Sequence, residues 1–108
     1  MAARSVFKLS LPEVERLVRA RAAVTGNVGL TNHVLVRMKL RHITREEGYD
    51  VLRLGRPVRA PEPNLALGSL ECHMQRFMAG RELAIVAAIS DDDPSVIVVT
   101  AIVLDKGI

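Results

Sequence analysis

The spacing of apolar residues changes from a helical period to an alternating one near residue 69 of this chain. Before that point apolar side chains recur every three or four positions in three stretches, which is typical of helices that bury one face. The first stretch opens with the capping box Ser10–Glu13 and predicts a helix over Leu11–Val24. The second predicts a helix over Asn32–Arg41, and the third, which also opens with a capping box, predicts a helix over Arg45–Gly55.

Three stretches after residue 69 predict β-strands. Leu70–Met78 alternates between two faces, the turn residues Ala79–Arg81 follow, and Glu82–Ser90 predicts the second strand. Val96–Leu104 is apolar and largely β-branched, so we expect this third strand to be central or covered on both faces. The proline-bearing segment Arg56–Gly68 predicts an irregular surface loop.

The order of these elements predicts an α+β fold in a single domain, residues 1–108. In this arrangement N-terminal helices pack on a small C-terminal antiparallel β-meander. Residues 1–26 form a lead-in and a helix, residues 27–55 form two helices with a basic motif, residues 56–68 form the loop and residues 69–108 form the sheet.

Charge is divided unevenly along the chain. Residues 1–60 carry 12 Lys or Arg and 5 Asp or Glu, whereas residues 61–108 carry 3 and 7, which together give the net charge of +3. A basic half rich in arginine indicates a nucleic acid or an acidic protein as the partner. The same composition is equally typical of helices whose arginines are simply solvated.

Other residue patterns narrow the class of protein. Cys72 is the only cysteine, so the chain has no disulfide framework and no cysteine spacing typical of a metal site, which favours a reducing compartment. The N-terminus lacks the apolar segment of a signal peptide. The longest apolar runs are too short to cross a bilayer as helices. We therefore expect a cytoplasmic protein with no membrane partner, no metal and no cofactor.

The second helix carries the residues of greatest chemical interest. His33, Arg37 and Arg41 are spaced four apart, so they share one helix face. A titratable ring followed by two guanidinium groups suits the binding of a phosphate diester. It is equally consistent with a solvated basic stripe whose arginines pair with acids such as Glu46 or Glu47.

The pattern LTxHxxxRMxxRxITxEE over residues 30–47 resembles the opening of the bacterial domain of unknown function 4258 family. The similarity extends over roughly residues 28–104, through a helix ending at a glycine, a proline-bearing loop and a glycine hairpin, to a strand that closes on Val98-Val99-Thr100. The family is grouped with the RelE-like superfamily, which also holds barnase, EndoU and certain colicin nuclease domains. The resemblance implies a RelE-like fold.

The resemblance also implies an activity, that of a toxin-like, metal-independent endoribonuclease neutralised by an antitoxin protein. Its RNA would be free or bound to the ribosome. On this reading His33, Arg37, Arg41 and Thr100 are the catalytic positions, with His33 as the base that activates the 2′-hydroxyl and Arg37 as the ligand of the scissile phosphate. Arg41 would contact the same phosphate or the next, and Thr100 would hold a phosphate oxygen. Arg76 is a weaker candidate for substrate binding.

Two other functional classes remain open. The chain is scarce in aromatic residues, on which single-stranded RNA usually stacks, and no second acid or base is evident. These features suit a non-catalytic RNA- or protein-binding module of the same fold. An apolar strand edge or the N-terminal helix also suits an interaction protein that forms a homodimer.

Overall fold

The three helices begin at the capping residues that the sequence contains. The structure, a computed structural model, describes residues 5–104; the first four residues of the predicted lead-in and the last four of the predicted sheet segment lie outside this range. The helices are α1 (Leu11–Ala22), α2 (Asn32–Leu40) and α3 (Arg45–Leu54), so the predicted helices are confirmed to within two residues. Both capping boxes form; at the first, the Ser10 N–H donates to Glu13 Oε1 at 2.8 Å.

The strands form one mixed sheet. They are β1 (Val28–Leu30), β2 (Arg56–Pro57), β3 (Glu62–Asn64), β4 (Ser69–Met78), β5 (Arg81–Ile89) and β6 (Val96–Leu104). The order across the sheet is β1-β6-β5-β4-β2, and β3 also pairs with β4. Strands β4, β5 and β6 form the predicted antiparallel meander, whereas β1 pairs with β6 in parallel.

Three details of the predicted architecture are wrong. Because β1 separates α1 from α2, the helices do not form one uninterrupted N-terminal block, and because β1 runs parallel to β6 the sheet is not purely antiparallel. The segment Arg56–Gly68 is not irregular throughout, since it contributes β2 and β3. These strands have two or three residues each, too few for an alternating pattern, so only their pairing with longer strands defines them.

The helices cover one face of the sheet and leave the other open. The buried core joins helical residues such as Val18 and Leu52 to strand residues such as Met74 and Ile85. On the opposite face Ile97 and Val99 of β6 are 37% and 39% exposed. Strand β6 is flanked by strands on both sides only over its first residues, where β1 pairs with it, and it is covered on one face only.

Within the described range, 5–104, none of the helices has the length and apolar character needed to cross a membrane.

Candidate active site

Helix α2 packs beside the edge of β6 that β1 leaves uncovered. Strand β1 pairs only with residues 96–98 of β6, and the chain then turns at Thr31, whose hydroxyl caps α2 by accepting from the Val34 N–H at 3.2 Å. Beyond Val98 no other described strand pairs with this side of β6. Arg41, at the end of α2, donates from Nη1 to the carbonyl oxygen of Ala101 at 2.8 Å. The helix thus takes the place of a neighbouring strand.

A β-bulge sets the direction of Thr100. Val86 of β5 pairs with Thr100, and the next residue, Ala87, pairs with Val98, so Val99 is an extra residue in β6. Without the bulge, Thr100 would follow Val96 and Val98 onto the face covered by helices. With it, Ala101 takes the buried position, and Thr100 is only half-buried.

The four residues assigned as catalytic by the resemblance line one cavity of about 180 Å³ between α2 and β6. Helix α2 contributes His33, Arg37 and Arg41, which its four-residue spacing places on one face, and β6 contributes Thr100. The remaining lining residues are Val34, Val99, Ala101 and Ile102. The structure therefore brings together residues that are 67 positions apart in sequence at their extremes, from 33 to 100.

The basic side chains of this cavity differ in whether they form hydrogen bonds or ion pairs with the rest of the described chain. Arg37 and His33 are exposed, and within residues 5–104 neither side chain has a hydrogen-bond or ion-pair partner. Arg41 is half-buried and donates one N–H to the Ala101 carbonyl oxygen, so part of its guanidinium has a structural role. Glu47, one of the acids that the solvated-stripe interpretation would pair with these arginines, contacts Arg81 instead.

The C-terminal end of α2 is held to β5 by Arg81. Its guanidinium donates to the carbonyl oxygens of Arg41 (3.0 Å) and His42, and it lies 3.1 Å from Glu47 Oε1. The N–H of Thr44 is the main cause of the lowered pKa of Glu47; partial burial opposes the shift, and the positive charge of Arg81 adds to it. This cluster orients the end of α2, from which Arg41 reaches the cavity.

Arg76 does not join these residues. It lies on β4, on the face covered by helices, and its Nη1 donates to the Leu54 carbonyl oxygen at 3.5 Å, beside the C-terminus of α3. It lines a separate cavity together with Arg56 and Phe77. The structure thus separates the weaker candidate for substrate binding from His33 and Arg37.

A second cluster of polar side chains was not predicted from the sequence. His73, on the open face of β4, has Nε2 3.1 Å from Glu62 Oε1, and Arg59 Nη2 lies 3.0 Å from the same carboxylate oxygen. The pairing of β3 with β4 brings Glu62 to His73, so a segment interpreted as a loop offered no sign of it. The alternation of β4 was the available signal, because it places His73 and Arg76 on opposite faces.

Comparison with known proteins supplies no relative: no family model, curated protein or solved structure matches this chain. The resemblance to the family of RelE-like nucleases therefore stays a prediction. Within residues 5–104, no three His, Cys, Asp or Glu side chains are grouped as ligands for a metal ion. The geometry of the cavity between α2 and β6 is the basis for a functional proposal.

Proposed function

We propose that this protein is a toxin-like endoribonuclease that cleaves RNA without a metal, in the cavity between α2 and β6. One observation carries the proposal: an exposed imidazole, an exposed guanidinium and a hydroxyl, from His33, Arg37 and Thr100, line the same small cavity. Neither His33 nor Arg37 is neutralised by a carboxylate within the described chain. A phosphate diester would supply the missing negative charge.

The proposed reaction uses the RNA's own 2′-hydroxyl as the nucleophile. His33 removes the proton of that hydroxyl, the 2′-oxygen forms a bond to phosphorus, and the bond from phosphorus to the 5′-oxygen breaks. The proton held by His33 returns to the departing 5′-oxygen, directly or through a water molecule. The products are a 2′,3′-cyclic phosphate and a free 5′-hydroxyl, so atoms and charge balance without a further reactant.

The other lining residues act on the charge that develops at phosphorus. Arg37 binds the non-bridging oxygens and stabilises them most in the transition state, where their negative charge is greatest. The Thr100 hydroxyl donates to one of these oxygens. Arg41, committed in part to the Ala101 carbonyl, fixes the distance between helix and strand and offers its remaining N–H groups to the phosphate.

The residues that line the same cavity also favour a second function, RNA binding without cleavage. His33 is the single acid or base among the residues that line it, and ribonuclease chemistry commonly uses two. A ribosome that positions the messenger RNA would reduce this demand on the protein. Under either function we propose a cytoplasmic protein; an antitoxin partner rests on the resemblance alone.

The test is incubation of a mixed RNA pool, with EDTA and with or without ribosomes, with the wild type, His33→Ala and Arg16→Ala. Arg16 is an exposed arginine on α1 outside the cavity, so Arg16→Ala controls for a surface change. We expect the wild type and Arg16→Ala to leave cyclic phosphate ends and His33→Ala to lose about a hundredfold or more in rate. Binding of RNA without cleavage under all conditions would favour the second function.

A further inference from the structure

Arg59 and His73, which form a polar cluster with Glu62, line a further cavity on the open face of the sheet. The side chain of His73 is 16% exposed, and Arg59 Nη2 lies 3.2 Å from its Nδ1 and 3.0 Å from its Nε2. Because Arg59 Nη2 is nearly equidistant from the two ring nitrogens, the guanidinium lies against the face of the imidazole, while Nε2 is 3.1 Å from Glu62 Oε1. These two contacts hold the orientation of the imidazole.

The floor of this cavity is apolar. The cavity has a volume of about 200 Å³, and its floor is built from the outward side chains of β5 and β6: Ala84, Val86, Ile102 and Leu104. Because the side chain of Ala84 is smaller than its neighbours on the floor, it leaves room for a ligand above this residue. We call this cavity the sheet-face slot; Arg59, His73 and Gln75 form its polar wall.

The sheet-face slot adjoins the candidate active site. Ile102 lines both cavities. The register places His73 opposite Val86 and Val86 opposite Thr100, on three adjacent strands. Since neighbouring strands are about 4.8 Å apart, the backbones at Thr100 and His73 are about 10 Å apart. A polymer with one monomer bound at Thr100 can therefore place its next monomer above the slot.

We infer that the sheet-face slot receives a nucleobase of the same single-stranded RNA whose phosphate occupies the candidate active site; this inference rests on the proposed function. A nucleobase is flat, has apolar faces and carries hydrogen-bonding groups on its edge, which matches an apolar floor with a polar wall. Imidazole rings and guanidinium planes stack on bases as aromatic side chains do, so Arg59 and His73 compensate for the scarcity of aromatic residues. The slot gives the protein a means of selecting one base beside the cleaved bond.

The test measures binding apart from cleavage. Short 2′-O-methyl homo-oligonucleotides of A, C, G and U lack the nucleophilic hydroxyl and cannot be cleaved; an abasic oligonucleotide of the same length reports the backbone contribution. Their affinities are measured by fluorescence anisotropy for the wild type, Ala84→Leu, which fills the slot, and Ala88→Leu. Ala88 is half-buried on the same face of β5 but outside the slot, so it carries a matched control.

We expect the wild type and Ala88→Leu to bind at least one base-bearing oligonucleotide about tenfold more tightly than the abasic one. Ala84→Leu should reduce this preference below about twofold and leave the abasic affinity unchanged. The inference is overturned if the wild type binds none of the oligonucleotides, if it binds all five alike, or if Ala84→Leu keeps the preference. If Ala84→Leu fails to fold by circular dichroism, Arg59→Gln, an exposed wall residue, replaces it with the same expectation.

The two proposals fail separately. Base preference without RNA cleavage would contradict the proposed reaction and keep the slot. Cleavage that depends on His33, together with equal binding of all oligonucleotides, would contradict the slot and keep the reaction.

Discussion

Replacing Arg81 by methionine removes three contacts at once. In the wild type the guanidinium donates to the carbonyl oxygens of Arg41 and His42 at the end of α2, and it lies 3.1 Å from Glu47 Oε1. Methionine keeps the apolar stem and its packing but has no donor, so Arg81→Met isolates the polar contribution. The two carbonyls would then have to find water at a partly buried junction of α2, α3 and β5.

The expected loss follows from the burial of the partners. The side chains of Arg81 and Glu47 are 25% and 16% exposed, so solvent screens these bonds only in part. A bond from a charged donor contributes about 1.5–3 kcal/mol when well shielded, whereas a solvated ion pair contributes about 0–1 kcal/mol. For the two carbonyls and the ion pair together we expect Arg81→Met to lower the free energy of unfolding by about 2–3 kcal/mol.

Urea unfolding followed by circular dichroism measures this loss in the wild type, Arg81→Met, Glu47→Gln and the double variant. Because most of the contribution of Arg81 goes to the carbonyls, we expect the coupling energy between Arg81 and Glu47 to be below about 1 kcal/mol. A loss below about 0.5 kcal/mol in Arg81→Met would refute the reasoning. A coupling energy as large as the whole loss would refute the assignment to the carbonyls.

Three further predictions concern other parts of the fold. Ala79 has φ +53° in the two-residue turn between β4 and β5, ahead of Gly80, so Ala79→Asn should raise the free energy of unfolding by about 0.5–1 kcal/mol in urea; a decrease would contradict the assigned turn. Burial raises the pKa of the Cys72 thiol to about 12, so a disulfide reagent should label it only after unfolding, and rapid labelling of the native protein would contradict this. Hydrogen bonds from the Val6 N–H, the larger cause, and from the Ser5 hydroxyl lower the pKa of Asp91. The ionised Asp91 therefore stabilises the folded protein above the ordinary carboxyl pKa, and this stabilisation is lost as pH falls through the lowered pKa. Unfolding midpoints should therefore show a wild-type advantage over Asp91→Asn near neutral pH that shrinks as pH falls below the ordinary carboxyl pKa, and an advantage independent of pH would contradict it.

The long elements could be predicted because their signals are local. The capping pairs Ser10 with Glu13 and Thr44 with Glu47 mark where α1 and α3 begin, and both pairs lie within four residues of the chain. Alternation over eight or more residues predicts β4 in the same way. Strands β1 and β2 are defined by pairing with residues far along the chain, and β3 by a hairpin with β4. All three have two or three residues, too few to show a periodic pattern.

In the candidate site, too, the features that follow from local sequence could be predicted, and those that depend on distant contacts could not. The shared face of His33 and Arg37 follows from helix geometry alone. The position of Thr100 depends on the bulge at Val99, which an unbroken apolar run conceals. The bond of Arg41 to a β6 carbonyl could not be foreseen either, because it depends on which strand edge β1 leaves uncovered.

The central claim is that Arg37 stabilises the transition state of RNA cleavage in the cavity between α2 and β6. The most direct measurement is the rate of cleavage of one defined RNA, in EDTA and with ribosomes if they are required, by the wild type, Arg37→Ala and the surface control Arg16→Ala. A second RNA with a single 2′-deoxy nucleotide at the cleaved position tests the nucleophile. We predict a loss of about a hundredfold to a thousandfold for Arg37→Ala, a change below about twofold for Arg16→Ala, and no cleavage at the deoxy position. Equal rates for all three proteins, or cleavage at the deoxy position, would contradict the account.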